Sequence, residues 1–429
     1  MPTPTRQLCA LLHDGHVLSD VERRIPAYDA PERHVPLTER LIACGDRSAV
    51  PVAPQLQVHS DPCTLLSVFA PRGDELSDGV WTPVGEIAED EAVLAALLSV
   101  DSVVGGSAPP PERRADWFRQ TWYDEVEAWV DEELAPLGRR RTGPCTPVKA
   151  WSMSAVLRVP TDGAPVWLKA ACRHFHAEPA LTRLVSAMLP GHTPQVVATD
   201  DTRGWVLTED IPAADEESAP EGVGPEAARI TATLQLRSLE RLTEIRAAEV
   251  PGRDLLDTGR RFDEILREGL ELDELTADEL AAARAAAPAV HALLDELAAL
   301  GVPDTLVHGD LHTGNVARDG ETIVLYDWSD AAVSHPFLDV ALLASRLPED
   351  EQRATFAAYA ETWREAHPAL DVERALALAR PVNTIYQMVT FELIQRAQED
   401  ASGWELHGVV ARWLRELPDL VAGPARISP

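Results

Sequence analysis

The sequence predicts an α+β protein of two lobes, a small antiparallel β lobe carrying one helix and a large helical lobe, preceded by a β-rich accessory domain. Two changes of pattern predict it. Short apolar runs punctuated by Gly, Pro or Asp fill the first hundred residues and return between residues 146 and 209. From about residue 225 the chain has helix-forming composition and apolar periodicity, interrupted by one irregular island at 302–333. At 429 residues the chain is also too long for one ordinary hydrophobic core, so two or three domains are expected.

In chain order, strands are expected at 8–12, 56–58, 64–70 and 80–84, then an amphipathic helix at 91–100. The run Gly105-Gly106-Ser107-Ala108-Pro109-Pro110-Pro111 reads as a linker, and 112–137 as one long helix whose Trp, Phe, Val and Leu residues share a face. That aromatic stripe is expected to pack against a neighbouring domain. Strands at 148–151, 155–160 and 165–170 follow, the last two joined by the turn Thr161-Asp162-Gly163. A helix at 178–189 and strands at 195–199 and 205–209 complete the small lobe. After an acidic loop, helices are expected at 225–249, 254–271, 276–300, 349–367 and 371–397, with Pro288 a kink or break. The island reads as loop, strand 322–326, loop. The resulting division is 1–105 accessory domain, 106–145 linker and long helix, 146–210 small lobe and 211–429 helical lobe.

Composition narrows the function. A formal charge of −32 opposes a broad nucleic-acid footprint or binding to anionic lipid, because both need dense Lys and Arg. It leaves room for an acidic pocket that takes a cationic substrate. The five cysteines are scattered without CxxC spacing, as reduced thiols would be. The N-terminus has no sustained apolar core and no stretch is long enough to span a bilayer. The expectation is a soluble cytoplasmic protein, a monomer or homodimer.

The island carries the chemistry. It holds His308-Gly309-Asp310-Leu311-His312-Thr313-Gly314-Asn315, then the apolar run Ile323-Val324-Leu325-Tyr326 ending in Asp327. Phosphoryl transfer asks a protein for a base that orients the acceptor hydroxyl, oxygen ligands for Mg²⁺ and a cation for the phosphates. Asp310, Asn315 and Asp327 supply the oxygen-bearing types, since magnesium prefers carboxylate and carbonyl oxygen to imidazole or thiolate. The spacing of His308 and His312 also admits zinc on a helix, although Gly309 and Gly314 oppose a helix there and no Glu lies between them.

This two-part motif, continued by His335-Pro336-Phe337-Leu338-Asp339-Val340, resembles the aminoglycoside phosphotransferase and choline kinase family. The resemblance implies a protein-kinase-like fold, Asp310 as catalytic base, and Asn315 and Asp327 as metal ligands. Asp339 becomes a structural acceptor at a helix start, and His308 a brace for the loop. Only two lysines occur in the chain, and Lys169 falls on the strand where such a kinase grips the α and β phosphates of ATP or GTP. Glu178, nine residues on, is placed to pair with it. The loop covering the phosphates would be Trp151-Ser152-Met153-Ser154-Ala155, with Ser152 and Ser154 beside phosphate and no Gly-rich pattern. Glu209 and Ile211 mark the hinge where adenine binds backbone groups.

The absence of His-Arg-Asp, Asp-Phe-Gly and Ala-Pro-Glu points away from protein substrates and toward a small polar acceptor: an aminoglycoside, amino sugar or amino alcohol. Asp330, Tyr386, Gln387 and Glu392 are candidates to line its site. A nucleotide-binding module without turnover is the competing reading. Residues 1–105 faintly resemble a Nudix-type domain that lacks the catalytic box, and read as an accessory or gating module.

Overall fold

Thr64–Ala70 is buried along its whole length, as a strand inside a sheet must be, and Arg6–His13 pairs with it in parallel from Arg6↔Thr64 to Leu11↔Phe69. Around these two the computed structural model builds a seven-stranded sheet in the order Val50–Pro51, Thr64–Ala70, Arg6–His13, His16–Ser19, Val80–Pro83. Ala27–Tyr28 joins Arg6–His13, and Leu56–Val58 joins Thr64–Ala70. The structure describes residues 6–28, 36–59, 63–72, 78–211 and 222–422. They fall into two compact units, Met1–His174 with Ala397–Glu405, and Phe175–Arg396 with Leu406–Pro429. The fold class is α+β, with antiparallel β structure and a large helical part as expected.

In the first unit, helix Glu91–Val104 starts where the Asp90 carboxylate accepts hydrogen bonds from the Ala92 and Val93 N–H groups, both at 3.0 Å. It buries Val93, Leu97 and Val100 in a core shared with Leu8, Leu66 and Val68. The expected long helix at 112–137 is instead three pieces: a 3₁₀ turn Asp116–Phe118, helix Gln120–Leu134 and a 3₁₀ turn Ala135–Leu137. Arg119 takes an extended conformation (φ −101°, ψ 127°) that interrupts the helix before it starts. The aromatic stripe is core, with Trp122, Tyr123, Val126, Trp129, Val130 and Leu134 buried. Trp117 donates to the Trp151 carbonyl at 2.8 Å, which ties this segment to the antiparallel strands Thr146–Ala150, Ser154–Val159 and Val166–Ala171.

The second unit opens with helix Glu178–Met188 and the hairpin Val196–Asp200 with Trp205–Glu209. Its helices pack around a core that includes Phe262, Leu306, Phe337, Tyr359, Trp363 and Tyr386. The expected helix at 225–249 breaks into Val223–Ser238, a 3₁₀ turn Leu239–Arg241 and Leu242–Ala247. Helix Ala277–Ala299 runs through Pro288 without a break. Helix Phe337–Ser345, whose start the resemblance implied at Asp339, and helix Val409–Ala422, absent from the sequence-based outline, complete this unit. Among the described residues no helix is long and apolar enough to cross a membrane.

Candidate active site

The strand expected at 322–326 is present as Thr322–Leu325, and the flanking segments, expected as loops, contribute three more short strands that complete two ribbons. Thr305–Val307 pairs antiparallel with Ala332–Ser334, and Val316–Asp319 with Thr322–Leu325. Between them the chain makes two loops, 308–315 and 326–331, so the residues with the relevant chemistry all sit at ribbon ends. The Tyr326 N–H donates to the Asn315 carbonyl at 3.1 Å and joins the loops. The Tyr326 hydroxyl donates to the Gly314 carbonyl at 2.6 Å.

The first loop takes its shape from below. Asp339, in the first turn of helix Phe337–Ser345, is fully buried, and its two oxygens accept from the His308 N–H at 2.9 Å and the Gly309 N–H at 3.0 Å. Gln235 also donates to Asp339 at 3.0 Å, and the Tyr359 hydroxyl donates to Gln235 Oε1 at 2.6 Å. Burial pushes the Asp339 carboxyl up from its usual range, opposed by His308 and by the donors that hold it. This carboxylate thus does for the loop what a helix cap does for a helix, satisfying backbone donors that would otherwise be buried unpaired. Gln387 donates to the Gly309 carbonyl at 2.7 Å from another side. His308 stacks obliquely on Trp328, centroids 4.5 Å apart, and its Nε2 lies 3.0 Å from the Tyr326 carbonyl, which is the bracing role expected of it.

Asp310 and Asn315 come together. Asn315 Nδ2 lies 2.8 Å from the Asp310 carbonyl and 3.4 Å from its carboxylate, and His312 Nε2 lies 3.5 Å from that carboxylate. The Asp310 side chain keeps 37% of its surface open, enough for a substrate group to reach it. His308 and His312 do not share a helix face. The loop is extended at His312 and turns only at the 3₁₀ segment Thr313–Asn315, and the His312 Nδ1 accepts from the Gly314 N–H at 2.9 Å. The helical zinc geometry is therefore not formed.

Asp327 sits just past the second ribbon with φ +65°, a left-handed conformation that non-glycine residues adopt mainly where surrounding structure imposes it. Ser329 Oγ lies 2.8 Å from Asp327 Oδ1 and 3.1 Å from Glu178 Oε2, so one hydroxyl joins its near neighbour in the chain to a carboxylate 151 residues before it. Glu178 is buried in the first turn of its helix. Glu209 ends its strand with its N–H on the Gln195 carbonyl at 2.9 Å, and Ile211 follows, both half-buried.

In the first unit, Lys169 lies half-buried on strand Val166–Ala171 opposite Val156. Ser152 and Ser154 are buried and bonded within the protein. Ser154 Oγ accepts from the Trp151 indole at 2.8 Å; Ser152 Oγ accepts from Gln398 at 3.1 Å and lies 3.4 Å from Glu405. Of the candidate acceptor residues, Glu392 accepts from the Leu270 N–H at 3.1 Å and pairs with Arg396 at 2.7 Å, Tyr386 is in the core, and the Asp330 backbone lies against Gly309.

Ser329, Gln235 and Tyr359 were not legible as site residues. Gln235 and Tyr359 act through Asp339 from helices 104 and 20 residues away in sequence, in opposite directions, so no spacing could reveal them. Among the described residues no group of three His, Cys, Asp or Glu side chains forms a metal-ligating array.

Comparison with known proteins adds the following. The family model described as the phosphotransferase enzyme family matches residues 147–376. No curated protein matches the chain. Similar solved structures include a macrolide 2'-phosphotransferase type I, 16% identical over 68% of this chain and 96% of that one, with a TM-score of 0.46. A putative fructosamine-3-kinase from Thermobifida fusca YX-ER1 is 20% identical over 70% and 99%, with a TM-score of 0.45. A choline/ethanolamine kinase family protein from Mesorhizobium loti is 17% identical over 70% and 95%, with a TM-score of 0.48.

Proposed function

The chain belongs to the phosphotransferase enzyme family and is a small-molecule kinase, and we propose that it moves the γ-phosphoryl group of ATP, or of GTP, to a hydroxyl of a small cationic acceptor. An aminoglycoside, amino sugar or amino alcohol has the required chemistry, and a chain with a formal charge of −32 suits it. The observation that carries the reading is the loop itself: Asp310 partly open, with Asn315 beside it and joined through Tyr326 to the loop that bears Asp327.

On this reading the acceptor O–H bond breaks and its proton passes to the Asp310 carboxylate. A bond forms from that oxygen to the γ-phosphorus, the bond to the β–γ bridging oxygen breaks, and the nucleoside diphosphate leaves. Lys169 holds the α and β phosphates, Glu178 orients Lys169, and Ser152 and Ser154 belong to the loop that covers the phosphates. Adenine rests on backbone groups of Glu209 and Ile211. The family implies Mg²⁺, and the donors fit it: Asn315 and Asp327 offer oxygen only, and the Asn315 amide oxygen makes no hydrogen bond among the described residues. Mg²⁺, when bound there, supplies positive charge that offsets the charge gathering on the phosphates. The enzyme acts in the cytoplasm as a monomer or homodimer, with residues 1–105 as an accessory module, 106–145 a linker and helix, 146–210 the small lobe and 211–429 the helical lobe.

The test is a coupled assay of nucleotide turnover over a panel of aminoglycosides, amino sugars and amino alcohols. With the best acceptor, Asp310→Asn should lower kcat by about 10²–10⁴-fold while leaving nucleotide affinity nearly unchanged. Turnover by Asp310→Asn at the parent rate would remove Asp310 as the base. Magnesium-dependent nucleotide binding without any accepted substrate would favour a binding module.

A further inference from the structure

A cavity of about 580 Å³ lies within the helical unit, walled by helices Ala277–Ala299, Phe337–Ser345, Glu349–Ala366, Val372–Ala397 and Val409–Ala422. Neither Asp310, Asn315 nor Asp327 lines it. Its volume is in the range of small-molecule sites, roughly 300–1,000 Å³, and its walls have a chemistry unlike the rest of this acidic chain.

Three exposed arginines, Arg346, Arg380 and Arg412, line it, and none forms an ion pair among the described residues. Arginines elsewhere on the same helices do. Arg353 pairs with Glu349 at 3.0 Å, Arg396 with Glu392 at 2.7 Å and Arg415 with Glu279 at 3.2 Å, while Arg364 and Arg374 pair with Glu373 and Glu296. With 70 acidic against 38 basic residues, an arginine at random finds a carboxylate easily. Three cations left without one at a single cavity therefore call for a reason, and an anionic ligand supplies it.

Two more observations narrow the ligand. The Arg380 guanidinium lies 6.0 Å from the Phe356 ring centre and Arg412 5.8 Å from that of Trp413, and both rings line the cavity. Asn383, also in the wall, is only 7% exposed, and its buried Oδ1 has no hydrogen-bond partner among the described residues. A buried acceptor left unpaired costs on the order of 1–3 kcal/mol, which a ligand donor would recover.

We propose that this cavity is a second ligand site, apart from the phosphotransfer centre, that takes an organic anion: a carboxylate, sulfonate or phosphate carried on an aromatic body. The anionic group meets Arg380, Arg412 and Arg346, the ring lies against Phe356 and Trp413, and a donor on the ligand reaches Asn383. Gln387 forms part of the same wall while its amide holds the Gly309 carbonyl, so the occupant sits one side chain from the catalytic loop.

The full chain is titrated with 8-anilinonaphthalene-1-sulfonate, followed by its fluorescence, in the presence and absence of saturating magnesium and ADP. Saturable binding of one equivalent that the nucleotide does not displace is expected. The double variant Arg380→Gln/Arg412→Gln should bind about tenfold more weakly, whereas Arg353→Gln/Arg415→Gln, which removes paired arginines of neighbouring surfaces, should bind as the parent does. Displacement by nucleotide, equal weakening in the two double variants, or no saturable binding would each overturn the proposal. Circular dichroism and melting of both double variants separate a lost site from a lost fold. None of these outcomes depends on phosphotransferase activity.

Discussion

Gly309 adopts φ +83°, and a Cβ there would stand 2.1 Å from the Asp330 carbonyl oxygen, a backbone atom that cannot swing aside. Its N–H is held by Asp339 and its carbonyl by Gln387, so the residue before Asp310 is fixed on every side. Gly309→Ala should therefore destabilise the protein by on the order of 3 kcal/mol, read as the shift in urea unfolding free energy. A change below about 0.5 kcal/mol would mean that the loop relaxes freely and is not the rigid platform described. The same tightness explains why Asp310 stays partly open although its neighbours are buried: the loop is held through its backbone, which leaves the side chain to face outward. Ser329 does similar work on the other loop, where a single hydroxyl lies between the Asp327 and Glu178 carboxylates.

Helix Ala277–Ala299 owes its start to a capping box. Thr276 Oγ1 accepts from the Glu279 N–H at 3.2 Å, and Glu279 accepts from the Thr276 N–H at 2.8 Å. Thr276→Ala removes one of these bonds and should cost about 1 kcal/mol in chemical denaturation; no change in the midpoint would show that packing alone sets the helix start. Pro288 was expected to kink or break this helix, yet the helix continues through it. Val290, Leu294 and Leu297 beyond it are buried, and their packing outweighs one lost backbone bond. Helix Phe337–Ser345 was implied only by the family resemblance, through Asp339 at its start, and not by periodicity. Seven of its nine residues are buried, so it has no polar face and no 3.6-residue alternation to detect. Helix Val409–Ala422 did carry a signal, since Val410, Ala411, Leu414 and Leu417 fall on one face. The strands Thr305–Val307 and Ala332–Ser334 are three residues each and wholly buried, too short to show period two.

Across the whole chain, residues 397–405 are joined to the first unit although helices of the second flank them in sequence. Glu399 accepts from Arg114 at 2.6 and 2.8 Å across 285 residues, with both side chains nearly buried, and Trp404 donates to the Gln55 carbonyl at 2.8 Å. Glu399→Gln would leave the Arg114 charge enclosed without its partner and should cost roughly 3 kcal/mol of unfolding free energy. A loss no larger than that of an exposed pair, such as Arg353 with Glu349, would show that this connection is not needed for stability. Glu405, at the end of the segment, has its carboxyl pushed up to about 7 from an ordinary 4.5, chiefly by burial, with Ser152, Arg40 and Lys149 opposing. The folded protein then keeps a proton that the unfolded chain gives up. Its contribution is fully present below about pH 4.5 and is lost as pH rises through 7. Glu405→Gln should accordingly flatten the fall in stability between pH 5 and 8 by roughly 2–3 kcal/mol. Parallel curves for parent and variant would disprove the assignment.

The sequence by itself determined the fold class and the identity of the chemical loop, because both rest on local pattern. Strand-like runs, helical periodicity, and the sequence from His308 to Asp327 each lie within one short stretch, where spacing alone carries the information. Tertiary structure decided everything that depends on which faces meet. It alone placed Asp339 under the His308 and Gly309 amides, Gln235 and Tyr359 behind it, and Ser329 between Asp327 and Glu178. It also turned the Ser152 and Ser154 hydroxyls toward protein partners and gathered at one cavity three arginines that form no ion pair among the described residues. These contacts join residues far apart in the chain. A backbone whose local preferences are all satisfied can still bring distant segments together in many ways, and only the packing of the two cores selects one.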